Sequence, residues 1–550
     1  MLRMAFMQNT NIPINKKQLF HASSFVGGLN NRDALLELAD NESSDMMNID
    51  WFSENGVIQK RRGYEKYDAT DFTDPVTFMG KFKPINETEQ IVRATNSEIY
   101  FDTTKISDVN AQIDGVNYDG MYMFVDDDEI RYYGKFPQSG DTYTQIVGTP
   151  IATNTLMKLI PTTIGYTPLD NTHDKGVTIY NYTNGTIEYQ PCDNELADEY
   201  KGANTFVSVK YIEVKEERVY VSGNDDEPHT VFISDIQNPY YFPFELELTV
   251  TPNGDKILGL SEFHNAIVVG RGDDVHAIYG NTNNPEVGFD LFTLRKINTH
   301  TGVAGNKAMC RVNNYLFFVG NDGNFYGLNT PQTNTELLNT TLLNAKTVIE
   351  KEPISLSKSD IPSACVIFKD NVFMASIGDK VLVYSWIYRT WGVYDGINAR
   401  SFLVDDNETL FGSENGYTYK FDVGYNDDGS AISAYYYSKH YDMGQASRVK
   451  MFRSFYVVSE AYDGVDSSVR ISFEVDYKEV ISAATIEDNI SRWGSTKFGE
   501  RFITWNIAQS LPVIINRRGR LIRYVFENDV IDEPFKIYEI NGEYDLRGYR

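Results

Sequence analysis

Cysteine is scarce: Cys192, Cys310 and Cys365 are the three in 550 residues, far apart and odd in number. They offer neither a disulfide framework nor the paired spacing of a zinc site, and they read as free thiols in or near a core. An intracellular assembly site fits them. Long apolar runs are also missing; none approaches the ~18–20 residues needed to span a bilayer. Residues 1–10 turn polar before a signal-peptide apolar region can form. The expectation is a soluble chain, made and folded inside a cell, with no membrane insertion. Basic residues fall short as well. Fifty Lys and Arg face 77 Asp and Glu, for a net charge of −27 and a pI near 4.7. Wrapping DNA or lying on an anionic membrane needs clustered cations, so both are disfavoured. A surface that nucleic acid passes without sticking stays compatible.

Catalytic constellations are equally hard to find. The seven histidines (21, 173, 229, 264, 276, 300 and 440) show no His-Glu-x-x-His spacing. Gly259-Leu260-Ser261-Glu262-Phe263 begins like a nucleophile elbow but lacks the closing glycine that the sharp turn needs. Gly302 to Ala308 contains Lys307 without phosphate-loop spacing or a following Ser or Thr. The acidic runs at residues 126–129 and 225–227 have oxygen ligands that calcium could use, but solvated hairpin tips are the preferred reading. Arg271-Gly272-Asp273 spells an integrin-type tripeptide and reads as a turn. No enzyme and no cofactor are expected.

What is present is strand and turn. Hydrophobic residues make up 41% and aromatics 13%, enough for a sizeable core. Short β-branched and aromatic runs such as Ala266-Ile267-Val268-Val269, Tyr315-Leu316-Phe317-Phe318-Val319 and Lys380-Val381-Leu382-Val383-Tyr384 suit strands and are too short for helices. Asn55-Gly56, Asn184-Gly185, Asp322-Gly323 and Asn415-Gly416 punctuate them and predict type I′ hairpins. Helical spacing is confined to residues 33–40 and 335–345.

A looser repeat lies above the hairpins. An apolar strand, a Gly or Asn-Gly turn and a strand ending in Tyr recur in residues 319–326 and 411–419, with relatives in 221–233 and 269–279. Spacings of roughly 45–60 residues suit four-stranded propeller blades, six to eight in number. A set of β-sandwiches sharing hairpin chemistry is the alternative. Charge then divides the chain. Residues 1–63 are neutral, residues 491–550 carry +2, and residues 64–490 carry 33 basic against 62 acidic side chains. The expected class is all-β: a propeller-like body at 71–425, preceded by an N-terminal arm and first strands at 1–70. A C-terminal β-sandwich-like domain at 426–550 follows, with its boundary at the turn-rich residues 424–430.

The first 64 residues carry an ordered pattern. Phe25-Val26-Gly27-Gly28-Leu29-Asn30 precedes Leu38-Ala39-Asp40-Asn41-Glu42 and Met47-Asn48-Ile49-Asp50, then Asn55-Gly56-Val57-Ile58-Gln59-Lys60-Arg61-Arg62-Gly63-Tyr64. Further on stand Arg218-Val219-Tyr220-Val221-Ser222-Gly223, Thr301-Gly302-Val303-Ala304 and Arg518-Gly519-Arg520-Leu521-Ile522-Arg523. Together these resemble the tail nozzle and tail tubular, or stabilisation-type, proteins of tailed bacteriophages. The resemblance spans nearly the whole chain as short degenerate motifs whose order makes them specific. It implies a homo-oligomeric, six-fold ring closing the tail below portal and adaptor proteins, with DNA leaving through its lumen unbound. It also implies assembly in the host cytoplasm, a place in the virion tail, and fibres or a needle as further neighbours. No segment for attaching fibres or a needle can be identified.

Arg61, Arg62, Arg517, Arg518, Arg520 and Arg523 are the candidate subunit or neighbour contacts, because arginine pairs well with carboxylates at interfaces. Gly63 is expected to need a φ that other residues resist. The alternative function is a receptor- or fibre-binding propeller module, for which 37 Tyr and 32 Phe would supply contact surface.

Overall fold

The computed structural model describes residues 17–547 apart from internal stretches, the longest being 135–154, 160–175, 192–208, 281–291, 330–338 and 489–508. Among the described residues there is no α-helix. Seven antiparallel sheets follow one another along the chain. Blade 1 opens with strand Phe78–Phe82, blade 2 with Asp114–Tyr118, blade 3 with Tyr211–Lys215 and blade 4 with Ile257–Phe263. Blades 5, 6 and 7 open with Met309–Val312, Cys365–Lys369 and Ala399–Asp405. Each opening strand packs against the opening strand of the next blade, and the seventh returns to the first. The body is therefore a closed seven-bladed propeller.

Neighbouring blades face each other across apolar layers, which explains the continuous hydrophobic runs. The second strands Met121–Val125 and Ala266–Arg271 are buried at every position because both faces are covered. Blades 1 and 2 share Phe82, Phe101, Tyr122 and Phe124; blades 4 and 5 share Phe263, Val268, Leu316 and Phe318. Ring closure comes from the N-terminal side. Strand Tyr64–Lys66 pairs with Thr418–Phe421 as the fourth strand of blade 7. The hairpin of Asn426–Asp427 and Ser430–Ala431 extends the same sheet.

The remaining strands form a two-sheet sandwich. One sheet runs Ile49–Asp50, Ile58–Lys60, Lys536–Leu546, Lys450–Ser459 and Gln509–Gly519, with Lys17–Ala22 also on Lys536–Leu546. The other runs Ser43–Met47, Ala434–Ser438, Ile522–Asn528, Ser467–Val475 and Lys478–Asp488. Inward side chains such as Phe452, Phe455, Ile471, Phe473, Tyr524 and Ile540 alternate with outward ones, as a sandwich requires. The N-terminal arm is thus divided: residues 17–60 complete the sandwich and 64–66 close the propeller.

Two local expectations change. Residues 33–40 form turns, not a helix, and Asn339–Leu342 in the second helical stretch is the outer strand of blade 5. At Asn55-Gly56, Asp322-Gly323 and Asn415-Gly416 only the glycine has positive φ, so these are not type I′ turns; Asn184-Gly185 lies outside the described residues. Two consecutive positive φ values occur instead at Glu216-Glu217, Asp370-Asn371 and Asp476-Tyr477. There the two-residue link between strands dictates the turn, overriding side-chain preference.

Candidate functional site

The propeller axis is crossed by side chains. Asp114, at the start of blade 2, accepts bonds from the amides of Ile212 (3.0 Å) in blade 3 and Gly115 (3.1 Å), and from Asn306 Nδ2 (2.8 Å). Asn306 lies in the 3-10 turn Asn306–Ala308 that leads into blade 5, so this last bond links non-adjacent blades. Lys307 of the same turn donates to the carbonyl of Thr77, ahead of blade 1. Glu213 accepts from Val214 N (3.0 Å) and from Glu262 N (3.3 Å) of blade 4. Burial pushes Asp114 up to about 6 and Glu213 to about 7, and it pushes Lys307 down to about 8. These groups tie adjacent and non-adjacent blades together at their inner strands. Among the described residues, no three His, Cys, Asp or Glu side chains converge to hold a metal ion.

The six candidate arginines separate into distinct roles. Arg61 is 2% exposed and uses all five of its N–H donors inside the chain. Nε reaches Asn48 Oδ1 (2.8 Å), Nη1 the carbonyl of Arg62 and Asp427 Oδ1 (2.9 and 2.8 Å), and Nη2 the carbonyl of Asp395 and Asp427 Oδ2 (2.8 and 2.6 Å). No donor is left for a neighbouring subunit. Arg61 instead pins the sandwich side to blades 6 and 7. Arg523 is also largely taken up, forked onto Glu474 at 2.6 and 2.7 Å beneath the ring of Tyr437. Arg62 is exposed, 6.0 Å from the ring centre of Tyr425. Arg517, Arg518 and Arg520 are exposed around the turn after strand Gln509–Gly519, and Asp476 holds the turn through the amides of Arg520 and Leu521. Among the described residues, Arg517 and Arg518 have no ion-pair partner.

Propeller and sandwich share one apolar core along the outer strand Thr390–Asp395 of blade 6. The indole of Trp51, fully buried, donates to Thr390 Oγ1 (2.9 Å) and covers Gly392 so closely that a Cβ there would lie 2.1 Å from the ring. Beside this seam lies a cleft of about 400 Å³ between the Ile49–Lys60 hairpin and blades 6 and 7. Asp50, Asp370 and Asp422 line it with Arg62, Lys369, Phe421 and the 63%-exposed Ile387. Asp50 is occupied by the amides of Phe52 and Ser53 and by Gln59, and Lys369 lies 3.5 Å from Asp370. The Asp422 carboxyl is raised by burial; Arg62 and Lys369 draw it down, while Asp50 and Asp370 push it further up. These cleft acids were not legible in the sequence, because they come from three separate elements.

Other motifs settle into structure. Arg271 of the integrin-like tripeptide is fully buried, donating to the carbonyls of Asp255 (2.6 Å) and Asn253 (3.2 Å). At 225–227 the amides of Asp226 and Glu227 bond the side chain of Asn224, and Asp225 pairs with Lys210. Residues 126–129 lie outside the described residues. Cys310 and Cys365 are free, both pushed up to about 12 by burial; Cys192 lies outside the described residues.

No family model matches the sequence, and no curated protein matches it. Among solved structures, the computationally designed Ika8 protein aligns at 12% identity and a TM-score of 0.35. The Pan2 WD40 domain of Neurospora crassa does so at 8% and 0.33, and the AfRom2 CNH domain at 9% and 0.32. Each alignment covers 66% of this chain and 100%, 96% and 99% of the respective structure. The propeller itself is established by the seven sheets and their cyclic packing, and these likenesses add nothing about function.

Proposed function

We propose that this chain is a structural protein of a bacteriophage tail, assembling with copies of itself into a ring that closes the tail and conducts DNA during ejection. The observation that carries the proposal is the division of charge across the fold. Residues 64–431, which contain the propeller, hold 27 basic and 53 acidic side chains, whereas Arg517, Arg518 and Arg520 stand exposed on the sandwich. Residues 1–63 and 432–550, which supply the sandwich, hold 23 basic and 24 acidic side chains, so the acidic excess is confined to the propeller and the exposed arginines suit the acidic face of a second copy. An acidic wall facing a lumen gives phosphates no counterion-release energy, so a duplex would slide past it. The bond from Asn306 to Asp114 joins the inner sides of blades 5 and 2, which supports a lumen between copies in place of one through a single propeller. The phage assignment, the six-fold count, the virion location and the adaptor, fibre or needle neighbours rest on the ordered motifs.

Negative-stain imaging and mass photometry of the purified protein test this proposal. A ring with a central opening is expected. A chain that stays monomeric both in solution and on DNA-filled particles lacking it would overturn the proposal. Glycan-array binding by such a monomer would point to a receptor-binding module instead.

A further inference from the structure

Strand Ile522–Asn528 of the sandwich is bounded by two turns of opposite charge. Ahead of it, residues 514–520 hold Arg517, Arg518 and Arg520 and no acid, with Ile514 at 65% exposure. Behind it, residues 529–533 read Asp529-Val530-Ile531-Asp532-Glu533, three acids and no cation. Val530 and Ile531 are exposed at 40% and 44%, and the three carboxylates have no ion pair among the described residues. Nearby charges leave both signs standing. Lys60 lies buried beneath the acidic turn and gives its ammonium to Asn528 Oδ1 (2.7 Å) and to the carbonyls of Val530 (2.8 Å) and Glu533 (3.4 Å). Lys536 is engaged by Glu54 and Glu460. Asp476, beside the basic turn, is one carboxylate near three guanidinium groups and is taken by the amides of Arg520 (2.7 Å) and Leu521 (2.9 Å). With Asn426 Nδ2 also donating to Asp532, the acidic turn is a fixed knob. The seven residues of the strand hold knob and arginine turn roughly 23 Å apart, at about 3.3 Å each.

We infer that the acidic knob of one copy docks on the arginine turn of the next, end to end. This inference rests on the ring proposed above and gives it a contact. The strand between the two turns keeps them from meeting within one chain, so their complement is a second copy. Contact between unlike patches is heterologous, and such interfaces close into rings when the rotation allows. The planar forks of Arg517 and Arg518 suit the carboxylates of Asp529, Asp532 and Glu533. Val530 and Ile531 then meet Ile514, so that apolar contact accompanies the charge pairing. A knob already fixed by Lys60 and Asn426 loses little freedom on docking.

The test uses two full-length variants, R517E/R518E and D529K/E533K, each checked by circular dichroism and thermal unfolding and sized by mass photometry. Wild-type chain is expected to form rings. Each variant alone is expected to stay monomeric, with at least a tenfold rise in the concentration needed to assemble. One variant has two acidic turns and the other two basic turns, so a one-to-one mixture regains both contacts and should form rings of alternating copies. Those rings should weaken between 50 and 500 mM salt. Rings formed by either variant alone as readily as by wild type, or a mixture of the folded pair that stays monomeric, overturn the contact and leave the ring standing. If lysine beside Lys60 unfolds the second variant, D529N/E533Q replaces it and is expected to need a higher concentration to assemble; assembly equal to wild type overturns the contact. A monomeric wild type overturns the ring, and a peptide of residues 513–521 then judges the knob alone. Binding to wild type but not to D529N/E533Q supports the knob, and equal or no binding to both overturns it.

Discussion

Arg61 and Asp427, 366 residues apart, meet through two parallel bonds of 2.8 and 2.6 Å at a site almost closed to water. Burial raises the Asp427 carboxyl while Arg61 draws it down. Removing one partner strands the other charge, which costs about 3–5 kcal/mol. Arg61→Ala is expected to lower the unfolding free energy from urea titration by that amount, whereas Arg62→Ala should stay within about 0.5 kcal/mol of wild type. Equal effects of the two changes would contradict the pinning role.

Gly63 provides a second contrast. Its φ is not in the left-handed region, contrary to the sequence expectation; the constraint is a close approach. A Cβ at Gly63 would sit 1.7 Å from the carbonyl oxygen of Asn426, part of the fixed backbone of blade 7. Gly63→Ala is therefore expected to cost at least about 3 kcal/mol or to leave the chain insoluble. At Gly424, with φ of 62° and open space around it, alanine should cost about 1 kcal/mol. Thermal unfolding of the two variants compares them directly.

The axis carboxylates predict a pH dependence of definite sign. Asp114 and Glu213 have folded values raised to about 6 and about 7, so both are protonated in the folded chain where the unfolded chain has already ionised. Their contribution to stability is complete below about pH 4 and is lost as pH rises to about 7. The stability of wild type relative to Glu213→Gln should fall between pH 5 and pH 8 by roughly 2 kcal/mol. Urea titrations at the two values measure it, and a flat difference would refute the buried assignment.

Thiol chemistry offers an independent check. With both thiols pushed up to about 12, almost no thiolate exists at pH 8, and the thiolate is the reactive form. Iodoacetamide at pH 8 is expected to spare Cys310 and Cys365 in the native chain and to modify both in guanidinium, as peptide mapping would show. Rapid native labelling of Cys365 would place it outside the core.

The strands were legible wherever burial is two-sided, because uninterrupted runs such as Tyr315–Val319 leave no other economical structure. Turn type was less legible: Glu216-Glu217 adopts positive φ under the demand of a two-residue link, against its own preference. Arg61 beside Arg62 in a presumed hairpin looked like a surface cation. Its burial depends on Asp427 and Asp395, hundreds of residues away, and no local pattern reports such a partner. The cleft has the same origin, since Asp50, Asp370 and Asp422 become neighbours only when the N-terminal hairpin lies on blades 6 and 7.

Strand Lys536–Leu546 pairs with Lys17–Ala22, Ile58–Lys60 and Lys450–Ser459, so residues as far apart as Lys17 and Glu543, 526 positions, share one sheet. Strand Tyr64–Lys66 must also wait for Thr418–Phe421 before the propeller can close. Contacts this distant in sequence form slowly, because loop-closure entropy comes before any gain. A chain that stops before residue 536 therefore leaves Lys17–Ala22 without the strand it pairs with and lacks the link between Ile58–Lys60 and Lys450–Ser459. The strand Lys536–Leu546 is thus a single point of failure for the sandwich: a cut ahead of it would unfasten segments that lie hundreds of residues upstream.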